Sequence, residues 1–136
     1  RRADEFLARR RALVARYDER LAPLAPLVRP LGRTANCQPG WHLYVALIDF
    51  AALGCDRAAV AAALRAQGIL TQVHYMPLHM QPYYRERYGD QQLPGAEAYY
   101  RSALSLPLFP GMSDADVDRV TAALAELVDA AGRAGA

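Results

Sequence analysis

Between positions 2 and 22 the apolar residues recur on a helical period. Phe6, Leu7, Leu13, Val14, Tyr17 and Leu21 form one stripe flanked by arginines, which predicts an amphipathic helix with a single buried face. Pro23, Pro26 and Pro30 then deny that helix a continuation, because proline has no amide hydrogen and its ring clashes with the turn before it. Residues 21–33 therefore read as an irregular or single-turn connection. After the turn-rich run Asn36-Cys37-Gln38-Pro39-Gly40, residues 41–50 (WHLYVALIDF) are apolar on both faces of the pleat, the pattern of a central strand covered on both sides.

Asp56 is placed to cap a helix over 58–67, and Gly68 to end it in the left-handed conformation that other residues avoid. Residues 69–75 (ILTQVHY) have strand composition and stop at Pro77, so the order here reads as strand, helix, strand around a tight Gly68 turn. Residues 76–96 carry Pro77, Pro82, Pro94, Gly89 and Gly95 together with Tyr83, Tyr84 and Tyr88, a long loop with a helical turn or two. A helix is expected over 94–103, with Pro94 in its first turn. A short strand follows over 103–109, which Pro107 restricts to an edge or an ending. Ser113-Asp114-Ala115-Asp116 caps a last helix whose buried face carries Val117, Val120, Leu124, Leu127 and Val128, and the final six residues are expected to fray. These elements sum to an α/β (α+β) domain of two layers, with about three mostly antiparallel strands covered by helices.

Composition narrows the function classes. The chain has 136 residues, 53% of them hydrophobic, enough for one globular domain with its own core. A net charge of +2 with mixed signs along the chain leaves no large basic surface, so nucleic acid is not an expected partner. Nothing approaches the run of about 20 apolar residues that spans a bilayer, so no membrane partner is expected either. Cys37 and Cys55 stand far apart without CxxC spacing, which fits neither a zinc ribbon nor a disulfide-stapled scaffold and points to a reducing cytoplasm. All 16 residues counted as Lys+Arg are arginine, so the chain contains no lysine. The first residues, Arg1 to Phe6, already lie on helical periodicity without an initiating methionine, as expected of a domain cut from a longer protein.

Candidate chemistry centres on the three histidines, His42, His74 and His79. The last two flank Tyr75-Met76-Pro77-Leu78 at the end of the expected strand, where imidazoles are commonly displayed to ligands. A structural reading stands beside the functional one: His74 as a satisfied half-buried residue and His79 as a loop residue capping backbone. A metal site finds little support, because His74 and His79 are not a helical pair and no Cys or Glu cluster completes a shell. A Cys–His nucleophile using Cys37 or Cys55 is equally weak, since Cys55 precedes the Asp56 cap and has a plain packing explanation. No glycine-rich phosphate loop occurs. The tyrosines of 83–88 suit either stacking on a ligand or pinning of the loop.

The ordered segments Gly68-Ile69-Leu70-Thr71-Gln72-Val73-His74-Tyr75-Met76-Pro77-Leu78-His79-Met80-Gln81, then Pro94-Gly95-Ala96-Glu97, then Leu104-Ser105-Leu106-Pro107-Leu108-Phe109-Pro110 closely resemble the C-terminal part of the DegT-type sugar-nucleotide aminotransferases. The strand His42 to Phe50 is most similar to that family's UDP-4-amino-4,6-dideoxy-N-acetyl-altrosamine transaminases of the pseudaminic acid route, and the match runs from about residue 41 to 127. The resemblance implies the C-terminal small domain of a fold type I homodimer that uses pyridoxal phosphate. It implies amino transfer, from glutamate, to a 4-keto-6-deoxy sugar nucleotide for cell-surface polysaccharide or glycan synthesis. It places His79 against the substrate, with His74 and Tyr75 lining the same wall, and lets Met76 and Leu78 shape sugar preference. The cofactor lysine, the aspartate of the pyridinium nitrogen and the phosphate-binding serines belong to a large domain this sequence lacks, so no catalytic or cofactor-binding residue is expected here. Without lysine the chain alone is expected to be inactive and to bind no cofactor. Its large-domain face, left bare, is expected to drive self-association. The other reading is a free-standing ligand- or protein-binding module derived from such a domain.

Overall fold

The computed structural model describes residues 2–134. The apolar stripe at the start of the chain forms helix α1, Arg2–Leu21, and its second half buries Leu13, Val14, Tyr17 and Leu21. Phe6, in the first half of the stripe, stays 42% exposed. The prolines stop α1 as expected. One 3-10 turn over Ala22–Leu24 follows, and the chain then enters strand β1, Val28–Pro30. The central strand β2, Tyr44–Ile48, pairs antiparallel on both sides, with β1 through Val28↔Ile48 and with β3, Ala103–Leu106, through Tyr44↔Leu106 and Ala46↔Leu104. The sheet order is β1-β2-β3.

Three expectations are corrected. The third strand of the sheet is β1, from the proline-rich connection read as irregular, and residues 69–75 are no strand at all. Only Gln72 of that segment pairs, in an isolated antiparallel bridge to Ser105. Strand composition favours a pleated, half-buried surface but does not supply backbone partners, and the strand–helix–strand unit expected around Gly68 therefore does not form. β3 is also shorter than 103–109, ending at Leu106 immediately before Pro107.

Helix α2, Arg57–Ala66, starts where predicted: Asp56 accepts the Ala59 amide at 2.7 Å. Gly68 follows its end at φ +74° and donates to Arg65 O. The long 76–96 segment contains a 3-10 turn over Leu78–Met80 and helix α3, Pro82–Tyr88. Helix α4, Pro94–Ser102, carries its proline at the first position, where no amide hydrogen is needed. Helix α5, Asp114–Ala134, opens on a side-chain box in which Asp116 accepts from the Ser113 amide and hydroxyl, each at 2.8 Å. Residues 131–134 are still helical, and 135 and 136 lie outside the described residues.

The core fills the space between Tyr44, Ala46 and Ile48 of β2 and the apolar faces of α1, α2 and α5. Tyr17 and Tyr44 stack at 4.5 Å within it, and the Tyr17 hydroxyl donates to Pro107 O at 2.9 Å. Burial pushes both phenols well above their ordinary range, with Asp18 adding to the effect at Tyr44. α1 and α5 are tied along their outer edge. Asp118 takes a forked pair from Arg16, Nε to Oδ1 at 2.8 Å and Nη2 to Oδ2 at 2.5 Å, and a third bond from Arg20 at 2.9 Å. No helix among the described residues is long and apolar enough to cross a membrane.

Candidate functional site

The segment carrying His74, Tyr75 and His79 hangs from β3 at one end and from α4 at the other. At the β3 end, Gln72 and Ser105 exchange backbone bonds of 3.1 and 2.8 Å. His74 Nδ1 then meets the buried Ser105 hydroxyl at 2.9 Å. This fixes the His74 ring, against whose edge Tyr75 packs at 4.9 Å. The His74–Tyr75 peptide is cis. Tyr75 is 73% exposed, and Met76 and Leu78 are exposed beside it in sequence.

The chain next turns through Leu78–Met80, closed by bonds from Met80 N to Pro77 O and from Gln81 N to Leu78 O. The Gln81 side chain reaches back to Met76 O at 3.3 Å. This turn presses His79 inward, leaving its side chain 6% exposed. His79 Nε2 lies 3.2 Å from Oε1 of Glu97, and the same oxygen accepts the Leu93 amide at 3.0 Å. Glu97 sits on the first turn of α4, where the helix dipole favours a negative charge. The Leu93 amide, then the His79 contact, hold the Glu97 carboxyl below its usual range, and nearby Arg101 acts in the same direction.

The structure thus brings His74 and Tyr75 into contact and gives His79 a separate anchor on α4. Glu97 and Ser105, which tether the two histidines, belong to the family-like segments, but sequence reasoning does not mark them as site residues. Glu97 is legible in part, as an acid four residues after the residue that caps α4; its partnership with His79 is a tertiary contact across 18 positions.

His42 is exposed, in a groove of about 520 Å³ with Arg33, Cys37 and Trp41. Arg33 lies 4.6 Å over the Trp41 ring and bonds Asp18 at 2.6 Å, which ties the groove wall to α1. Cys37 is exposed, Cys55 is half-buried, and neither forms a disulfide. Among the described residues no three His, Cys, Asp or Glu side chains group as a metal site would require.

The family model for DegT/DnrJ/EryC1/StrS aminotransferases matches residues 1–125. The chain belongs to this aminotransferase family. Solved structures agree in fold. The protein Spr1654 of Streptococcus pneumoniae superposes in its apo form with a TM-score of 0.84 at 27% identity, over 98% of this chain and 33% of that one. DesI, solved in the presence of its TDP-sugar product, gives 0.80 at 28% identity, over 92% and 32%. PseC of Helicobacter pylori, an aminotransferase involved in pseudaminic acid biosynthesis, gives 0.81 at 23% identity over 92% and 33%, a likeness of fold alone. The chain therefore spans about a third of the length of the solved aminotransferases it matches.

Family members depend on pyridoxal phosphate, and Spr1654 is solved with it. In this domain the donor set does not fit that group: an amine must hold the aldehyde carbon, and the chain has no lysine.

Proposed function

We propose that this chain is the C-terminal small domain of a homodimeric, pyridoxal-phosphate-dependent aminotransferase acting on a 4-keto-6-deoxy sugar nucleotide, with glutamate as amino donor. The observation that carries the proposal is the family match across residues 1–125, which includes His79 in the motif that the family resemblance assigns to the substrate. His79 contributes a hydrogen bond to the sugar nucleotide, and His74 and Tyr75 line the same wall. Tyr75 suits that role because its hydroxyl has no partner among the described residues and its ring is exposed.

The cofactor supplies the amino-carrying chemistry from the rest of the protein, and the residues of this chain bind and orient the other reactant. DesI with its TDP-sugar product supports a nucleotide-linked substrate. The likeness of residues 42–50 to the altrosamine transaminases favours the UDP-linked, N-acetylated 4-keto sugar, and a glycan-building pathway, within that class.

The test is to express the full reading frame around this domain and offer it glutamate with UDP- or TDP-linked 4-keto-6-deoxy sugars. Mass spectrometry should find a 4-amino sugar nucleotide and an equal amount of 2-oxoglutarate. Failure with every nucleotide sugar while another keto acceptor is aminated would overturn the reading.

A further inference from the structure

Glu97 has more to do than cap a helix. Its Oε1 takes the Leu93 amide at 3.0 Å and faces Nε2 of His79 at 3.2 Å. Its position on the first turn of α4, the Leu93 amide, the imidazole and Arg101 all favour the ionised carboxylate. An ionised carboxylate has no proton to give, so the hydrogen between Oε1 and Nε2 must sit on nitrogen. A neutral imidazole has one ring proton, which Glu97 thus fixes on Nε2, leaving Nδ1 as a bare lone pair.

That lone pair is the atom left for a ligand. Nδ1 of His79 has no partner among the described residues. Nor does it belong to the buried, unpartnered side-chain atoms, which are Arg10 Nε and Arg57 Nε. The small exposed part of the His79 ring therefore includes Nδ1. His74 differs: its Nδ1 meets a serine hydroxyl, which can donate or accept, so nothing there selects a tautomer.

We infer that Glu97 is a positioning residue: whenever the His79 ring is neutral, Glu97 holds its single proton on Nε2 and so presents Nδ1 as a hydrogen-bond acceptor for a hydroxyl group of the sugar. In that form a keto or phosphate oxygen, itself an acceptor, would find no donor in Nδ1. This inference rests on the reading of His79 as substrate-facing and adds the polarity of the contact and the residue that sets it. Orienting partners of this kind act through the ring they hold, and by analogy with those behind metal-bound histidines their removal costs about tenfold or more in affinity or activity.

Two measurements test it. Nitrogen-15 NMR of the histidine-labelled chain, at a pH where the ring is neutral, should show pyrrole-type Nε2 and pyridine-type Nδ1 at His79. In Glu97→Gln the two tautomers should mix, because an amide can donate as well as accept. A pyrrole-type Nδ1 in the unaltered chain, or an unchanged distribution in Glu97→Gln, overturns the inference whatever the enzyme does. In the full-length enzyme, Glu97→Gln should raise KM for the sugar nucleotide about tenfold, change kcat less, and leave KM for glutamate alone. His79→Ala separates the two levels. If it raises the sugar KM and Glu97→Gln does not, the positioning role falls and the substrate-facing reading stands. If His79→Ala leaves that KM unchanged, both fall.

Discussion

Asp118 shows how single side chains hold the helices together. It takes three hydrogen bonds from Arg16 and Arg20, and the Arg16 bond leads in depressing its carboxyl to about 2. A carboxyl whose pKa is lower in the folded state stabilises the fold at any pH above its unfolded value, and that contribution fades as the pH falls towards 2. Asp118→Asn should therefore lower the melting temperature at pH 7, and the gap from the unaltered chain should close by about pH 2, read by calorimetry at both pH values. Tyr17 makes a different kind of contribution. Tyr17→Phe keeps the stacking on Tyr44 but loses the bond to Pro107 O, a loss of about 1 kcal/mol in urea unfolding.

Elements bounded by local chemistry could be read directly from the sequence. Asp56 and Gly68 delimit α2 because a cap and a left-handed turn are decided by one or two residues each. Gly68 lies at φ +74° in open space, where an added Cβ would meet nothing within 4 Å, so substitution there carries only a conformational cost. Gly68→Ala should destabilise by about 1–2 kcal/mol, while Asp56→Ala costs about 1 kcal/mol, both measurable by urea unfolding. β1 was hidden because its pairing is non-local. Three residues ending in Pro30 look like a broken connection until Val28 finds Ile48 across the sheet. Pro30 is tolerated because β1 is an edge strand. Residues 69–75 differ in the opposite sense, since their composition is that of a strand while only Gln72 forms a β-bridge. The candidate site divides the same way: His74, Tyr75 and His79 are visible as a motif, whereas the Glu97 tether depends on how α4 packs.

On the scale of the whole molecule, the chain is a small α+β domain with its own core, matched to about a third of each solved aminotransferase. Its lack of lysine divides the chemistry in the proposed enzyme: the substrate wall is assigned to this chain, which has no lysine amine to hold the cofactor, and that amine to the rest of the protein. The isolated chain, incubated with pyridoxal phosphate and dialysed, should retain no visible absorbance band; a retained band would contradict that division. The sharpest test compares the two half-reactions of the full-length enzyme with and without His79→Ala. The glutamate half-reaction, followed by the change in cofactor absorbance, should proceed unaltered, while KM for the nucleotide sugar rises about tenfold. An unchanged sugar KM, or an equal loss in both half-reactions, would contradict the assignment of residues 73–79 to the substrate.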